Sequence, residues 1–514
     1  MFYPKLNNFL KEYYRIFYMK KSTLFILTLC SVSSITYANN FHERDPEQTK
    51  IKTTSDLDIN TLQTDLLRQE KLSTEVEKNT NKQEYLRYTG RQLVENPEIL
   101  EKLIVDALVT PNKSILPGYI KLYRNVPNAD QSLIDWANAI LLRDSDLNKS
   151  IDVYRKLISH FPDNHFIRYQ LAETLFYNQE FEAAKSQFEK LRVIKTISPK
   201  DIEVFDRFIN AINNKEEWNF SFGATFLNDK NLANSAKEGT EVILPNGATV
   251  VYNTKRQSGQ GIMSWFSANK QWNINSGKYI AFESSFSNKY YWDNKSYNDL
   301  NAYVGLGIGY SDARFNIQLT PYTSKRWYAG GLNYGGSLKR YSSTYGANLS
   351  TSYWLTQKLK YSFSYNYGYD TYDRDVYDNQ YRGSSHFLTN SIMYLPSTTQ
   401  FWSLAIDLSD KEAKDRTNAY KRIGTRLTWG KEWPLGIATS ATLGLGKRNY
   451  KEISFFGSKQ KDKEYSASVT LWHKAVHFAG FTPRLTYTYT KTDSNIPIYS
   501  YYKNQLLFDV SKSF

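Results

Sequence analysis

The sequence predicts a two-domain chain: N-terminal all-α TPR-like helical repeats, then a C-terminal 14-stranded antiparallel transmembrane β-barrel. Three observations predict it. Residues 61–215 carry helical periodicity, and two segments within them superimpose at an offset of 34, the period of a tetratricopeptide repeat. At Trp218 the period changes to two and stays so to the end of the chain. The 514 residues are 16% aromatic, with 41 Tyr, 28 Phe and 11 Trp, yet no long apolar run follows the N-terminal region. Low hydropathy with abundant Tyr and Trp fits a barrel whose lipid-facing residues alternate with polar ones between aromatic girdles.

The N-terminus carries an export address. From Met19 the chain reads MKKSTLFILTLCSVSSITYANN: a basic start, an apolar core, then Thr36-Tyr37-Ala38. Residues 1–38 are read as an upstream extension plus a secretory signal, with the start at Met19 and the cut after Ala38. The single cysteine, Cys30, lies within that signal, preceded by Leu27, Thr28 and Leu29 rather than by the small residues of a lipoprotein signal. The mature chain is therefore expected to hold no disulfide and no thiolate metal site. Residues 39–60 are polar and charged and read as a linker.

The helical region, 61–215, is expected in the periplasm. In its first repeat Ile134, Ala137, Leu141, Ser150, Tyr154 and Leu157 precede Pro162. In the second, Arg168, Leu171, Leu175, Ala184, Phe188 and Leu191 occupy the same places. The small residues Ser150 and Ala184, each four before an aromatic, let the second helix of a hairpin pack closely on the first. PGYIKLYRNVPN at 117–128 reads as the end of a further, degenerate repeat. Such a stack commonly offers a concave groove to a peptide. Tyr154, Tyr169, Phe176 and Phe188 are the candidate groove residues for contact with a client.

Fourteen strands are expected in the barrel region, 218–514: 218–227, 259–272, 277–292, 298–311, 313–323, 342–355, 358–371, 384–396, 400–409, 418–431, 436–449, 464–476, 480–491 and 502–514. In KLKYSFSYNYGYDTY, Tyr361, Phe363, Tyr365, Tyr367 and Tyr369 share one face, and Ser362, Ser364, Asn366 and Gly368 the other. In YVGLGIGY, Val304, Leu306, Ile308 and Tyr310 alternate with glycines. Apolar-out, polar-in strands are the pattern of a membrane barrel. Connections alternate between short turns (INSG, LTQK, PSTT, WPLG) and long loops (228–258, 324–341, 372–383, 450–463), as expected of short periplasmic turns and long outer loops. An even strand count returns Phe514 to the side of the helical domain. In the last strand Leu506, Phe508, Val510 and Phe514 fall on the lipid face, with Lys512 at the periplasmic rim, where its stem can snorkel.

Charge follows the same division. Residues 219–514 hold 35 Lys and Arg against 21 Asp and Glu, and residues 1–218 hold 30 of each, so the whole excess of +14 lies in the barrel half. That excess suits outer-membrane lipid and lipopolysaccharide, or an acidic client. No nucleic-acid partner is expected. Glu283, Asp407, Arg426, Arg484 and Asp509 are the candidate lumen charges. The six histidines form no H-E-x-x-H pattern, and G-x-S-x-G is absent. His386, near YDRDVYDN, reads as an isolated polar residue. No catalytic residue, cofactor or metal is expected.

The closing segment PRLTYTYTKTDSNIPIYSYYKNQLLFDVSKSF, residues 483–514, resembles the C-terminal signature of the surface lipoprotein assembly modulator (Slam) family, notably DSNIP, then YSY and the final Phe. TPR-like helices ahead of a fourteen-strand barrel are the same family's architecture. The resemblance implies a non-enzymatic outer-membrane translocon. It would deliver surface lipoproteins, or a related secreted haemophore-type client, across the outer membrane. Periplasmic chaperones would be partners, and the barrel-assembly machinery would read the last strand. The alternative is a TPR-plus-barrel polysaccharide export porin, which calls for a lumen of one charge sign. The mixed signs of the five candidate lumen residues disfavour it.

Overall fold

In the computed structural model the described residues are 88–109, 113–332, 336–356, 358–397 and 399–513. The expected signal and cleavage site, Cys30, the linker 39–60, the first part of the helical region and Phe514 lie outside them.

Among the described residues eight helices build the N-terminal domain: α1 (Gly90–Glu95), α2 (Pro97–Val109), α3 (Leu116–Tyr123), α4 (Gln131–Leu142), α5 (Leu147–His160), α6 (His165–Tyr177), α7 (Phe181–Arg192) and α8 (Pro199–Lys215). The pairs α4–α5 and α6–α7 begin 34 residues apart, as the repeat spacing predicts. Their ends are set locally. Asp130, Asp146, Asn164 and Ser198 each accept a first-turn amide as N-caps, and Thr89 and Gln92 form a reciprocal capping box. Ser150, fully buried, donates to the Ala139 carbonyl at 2.7 Å, and Ala184 occupies the equivalent place without a polar group. Trp136 and Gln170, at matching positions of the two repeats, bond at 2.5 Å, and Gln170 also reaches the Leu108 carbonyl at 3.1 Å. Helix α8 closes the stack. Phe208 stacks on Phe188 at 4.4 Å and meets Phe176 edge-on at 5.0 Å, while Phe205 lies 5.8 Å from Tyr169.

After Trp218 the chain forms β1 (Asn219–Asp229), a small hairpin β2 (Thr240–Ile243) and β3 (Thr249–Tyr252), then β4 (Gly259–Asn273), β5 (Lys278–Tyr291), β6 (Asp299–Ser311) and β7 (Phe315–Tyr328). It continues through β8 (Lys339–Thr356), β9 (Leu359–Tyr372), β10 (Gly383–Ser397), β11 (Gln400–Lys411) and β12 (Tyr420–Glu432). The last strands are β13 (Ile437–Ile453), β14 (Lys459–His473), β15 (Thr482–Ser494) and β16 (Tyr501–Ser513). All except β2 and β3 join one closed antiparallel barrel of fourteen strands, each beside its sequence neighbour, with β16 returning to β1. Closure leaves no bare edge for lipid to meet.

The alternation holds strand by strand. Val304, Leu306 and Ile308 face outward and are exposed, while Gly305, Gly307 and Gly309 face inward. A Cβ on Gly309 would lie 2.3 Å from the Tyr279 ring, so the missing side chain makes room for that tyrosine. Trp272, Trp402, Trp429 and Trp433 gather at the short-turn end, with Trp402–Trp429 at 6.1 Å and Trp429–Trp433 at 6.2 Å, half of an aromatic girdle. Three expected loops shrink because pairing continues further than side-chain alternation alone predicts. The 450–463 loop reduces to 454–458, the 324–341 loop to 329–338, and the 228–258 loop folds into the β2–β3 hairpin. The 372–383 loop holds a short helix, α9 (Asp375–Tyr381). Lys512 faces the Phe481 ring at 5.9 Å, consistent with a stem laid along the rim.

Candidate functional site

Three regions hold the features that set the chain's candidate site: the barrel interior, the β1–β16 seam, and the short-turn end where the helices dock.

The interior is largely filled. Asp407 accepts Arg426 through Nε and a terminal nitrogen, both at 2.8 Å, and the Thr389 hydroxyl at 2.9 Å. Asp370, wholly out of solvent, accepts Lys411 and, at 2.7 Å, the Thr344 hydroxyl. Glu464 sits between Arg422 at 2.6 Å and Arg448 at 2.8 Å. A side chain projecting into a wide water channel would stay exposed. These are buried because each cation lies against a carboxylate, Glu464 serving two, which offsets the cost of leaving bulk water. At the long-loop mouth α9 adds a tyrosine cluster. Arg326 pairs with Asp299 at 2.6 Å and lies between the Tyr328 and Tyr341 rings, 4.8 and 5.2 Å away, and Tyr377 of α9 sits 5.1 Å from Tyr341.

All five candidate lumen charges point inward. Asp407 and Arg426 pair directly. Arg484 and Asp509 face each other in the β15–β16 register, but Arg484 bonds the Ser511 hydroxyl at 3.4 Å, and Asp509 takes the Thr225 and Thr486 hydroxyls. Glu283 stands apart, accepting from Gln318 at 2.6 Å and from Tyr303 at 3.4 Å. The buried pairs Asp370–Lys411 and Arg422–Glu464–Arg448 were missed. Their signal was phase: Asp370 continues the inward series of Asn366 and Gly368. His386 faces the outer wall, its Nδ1 2.7 Å from the Tyr365 hydroxyl, and not the lumen.

The four groove candidates are corrected. Tyr154 and Phe188 are fully buried, and Tyr169 and Phe176 nearly so. Helix α8 covers Tyr169, Phe176 and Phe188 with Phe205 and Phe208, and Tyr154 packs against the next hairpin, its hydroxyl 3.3 Å from Gln170 of α6. Burial pushes the Tyr154 hydroxyl far above its ordinary pKa, as a core tyrosine requires. A repeat pattern marks packing positions before it marks a groove, which is why these four read as accessible in sequence.

The seam is the weakest junction. β1 pairs β4 from Asn219 to Asp229, but pairs β16 only over Ser221–Phe226 with Phe508–Ser513. Toward the long-loop end, Tyr501–Leu507 of β16 pairs β15 alone. Side chains hold that half. Lys503 binds Asp229 at 2.6 Å, and Leu507 packs against the buried cluster of Leu227, Leu232, Tyr291 and Tyr297. In DSNIP, Asn495 bonds the β14 backbone at Lys459 and Lys461, at 3.0 and 2.6 Å, and Ile496 is buried, so the motif anchors the last long loop.

The helical domain meets the barrel at its short turns. Gln179, in the left-handed region at φ 64° between α6 and α7, donates to the Asp312 carbonyl and accepts from the Ser311 hydroxyl at 2.6 Å. Asn273 donates to Glu216 at 3.3 Å.

Comparison with known proteins follows this division. Residues 218–514 match the family model for the surface lipoprotein assembly modifier, and residues 86–188 match the model for that family's N-terminal TPR repeats. The chain is 36% identical to surface lipoprotein assembly modifier 1 of Haemophilus influenzae, over 84% of this chain and 87% of the relative. It is 28% identical to surface lipoprotein assembly modifier 1 of Neisseria meningitidis serogroup B, over 97% and 98%. It is 22% identical to the hemophilin secretion modulator of Acinetobacter baumannii, over 96% and 100%.

Proposed function

The chain belongs to the surface lipoprotein assembly modifier family, and from that premise we propose that it is an outer-membrane translocon for a polypeptide client. The client is a surface lipoprotein, as the Haemophilus and Neisseria relatives are named for, or a secreted protein of the kind the Acinetobacter relative is named for. The short-turn end and the docked helices face the periplasm, and the long loops face outward. Periplasmic chaperones deliver the client, and the barrel-assembly machinery inserts the barrel. The role is one of transport without covalent chemistry.

The observation that carries the reading is the seam. A filled interior does not suit free diffusion, and a lipid-anchored client must in any case reach the bilayer sideways. The β1–β16 junction is the place where the wall is held least by backbone, with side chains holding its long-loop half. The client emerges along it, and folding outside drives the movement. Polysaccharide export is disfavoured by the interior, where Asp407–Arg426, Asp370–Lys411 and Glu464 with its two arginines mix both signs and leave a net charge of only +1 among them.

The test is display of a client lipoprotein in a host lacking both proteins, read by antibody on intact cells. Surface signal should require this chain and vanish when residues 61–215 are deleted from a barrel that still assembles. Equal signal without the chain would refute client export.

A further inference from the structure

The outer wall of β11–β14 carries a feature that transport leaves unused. Outward positions on β13 run Leu443, Leu445, Lys447, and on β14 Val469, Ala467, Tyr465, Lys463, so apolar wall gives way to lysine at one level. Lys447 and Lys463 are directly opposite in the β13–β14 register. Like charges in facing positions, with Cβ atoms about 5 Å apart, repel one another. One step further, Lys421 on β12 and Lys461 on β14 flank Asn449 on β13, two strand spacings or roughly 10 Å apart. Lys421 has Asp410 at 3.6 Å, and Lys463 also stands opposite Asp493 in the β14–β15 register, but Lys447, Lys461 and Lys463 form no ion pair among the described residues. Beside Lys421 and Lys447 lies a hollow of about 380 Å³ whose apolar lining is Leu388, Leu408 and Ile423 and whose wall also includes the Asp410 carboxylate.

We propose that this wall is a binding site for a phosphorylated glycolipid of the outer leaflet, its acyl chains over Leu388, Leu408 and Ile423 and its phosphates between the lysines. The chemistry selects this occupant. An apolar floor that turns into paired cations at a fixed height fits an amphiphile with an anionic head. Two lysine pairs, rather than one, fit a head bearing two phosphates. An anion between Lys447 and Lys463 turns their repulsion into a shared attraction. The leaflet rests on the orientation proposed above; the binding chemistry does not.

The probe is bisphosphorylated lipid A added to the full chain purified in detergent, with binding read by native mass spectrometry and stability by heat-modifiability in gels. Lys447→Gln/Lys463→Gln should bind about thirtyfold more weakly, at roughly fivefold per lysine. Without lipid A the variant should be at least as heat-resistant as the parent, having lost a repulsion. With lipid A only the parent should gain. Lys185→Gln/Lys190→Gln, on the helical domain, controls for net charge and should bind as the parent does. Variant binding within twofold of the parent would overturn the proposal. So would equal binding of dephosphorylated lipid A, and equal binding of phosphatidylglycerol would reduce the site to a general anionic surface. Because the assay is in detergent, a reversed orientation would leave its result intact and would appear instead in cysteine labelling of the long loops on whole cells.

Discussion

A disulfide across the seam tests the exit route. Ala224 of β1 faces Val510 of β16 in the outward register, so Ala224→Cys/Val510→Cys places two thiols opposite each other. Facing residues of an antiparallel pair lie about 4.5–5.5 Å apart at Cα, within the range a disulfide spans. The seam pairs over Ser221–Phe226, against Asn219–Asp229 for the neighbouring junction with β4. Counting about one hydrogen bond per paired residue, at ~1 kcal/mol net each, the seam is about 5 kcal/mol weaker than that neighbour. On backbone pairing alone, before the Lys503–Asp229 pair and the Leu507 packing are set against it, its opening is favoured over the neighbour's by between three and four orders of magnitude. The staple removes that opening. The only natural cysteine is Cys30, so the background is simple. In cells displaying a client, the oxidised variant should show less than a tenth of parental surface signal, restored by a membrane-permeant reductant that can reach a lipid-facing disulfide. A matched staple at Phe266→Cys/Phe286→Cys, between β4 and β5, should leave export unchanged. Parental export with the seam disulfide verified by gel mobility would refute the lateral route.

Three further outcomes are expected. Arg426→Ala strands the buried Asp407 carboxylate and should cost about 3–5 kcal/mol in urea unfolding from lipid vesicles, while Asp407→Leu/Arg426→Met should return close to the parent. Asp146→Ala removes the α5 N-cap and should cost about 1 kcal/mol at neutral pH by circular dichroism. The Lys149 amide holds the Asp146 carboxyl below its ordinary pKa, so the cap's contribution is present above about pH 4 and fades as the pH falls through the lower folded value; the gap between parent and variant should close with it. Gln179→Gly relieves a left-handed backbone but deletes both bonds to the β6–β7 turn, so limited proteolysis at that turn should accelerate severalfold with helix content unchanged.

Most of the barrel was legible because its solvent imposes a strict rule. Each wall residue faces lipid or interior, and Val304, Leu306 and Ile308 announce their side without help from any partner. The same rule exposed the inward phase of Asp407 and Arg426, but not their pairing, since register is set across strands and leaves no trace in either one. The 34-residue offset located the hairpins for a related reason: equivalent residues such as Trp136 and Gln170 touch. It misled at Tyr169, Phe176 and Phe188 because α8 lies outside the repeat. Nothing in the repeat itself tells that Phe205 and Phe208 come back to cover them. The seam was invisible for the reason pairing was: β1 and β16 lie at opposite ends of the barrel sequence, and the shortness of their ladder is a property of closure.

Helix α8 has two neighbours of different kinds. Phe205 and Phe208 bind it into the repeat stack, and Glu216–Trp218 is all that separates its last residue from β1, the strand at the short ladder. Three extended residues reach about 10 Å. A ligand that levered α8 off the aromatic face of the stack by more than that distance would haul directly on β1. The chain thus contains a tether of fixed length between the helical stack and the junction proposed as the exit.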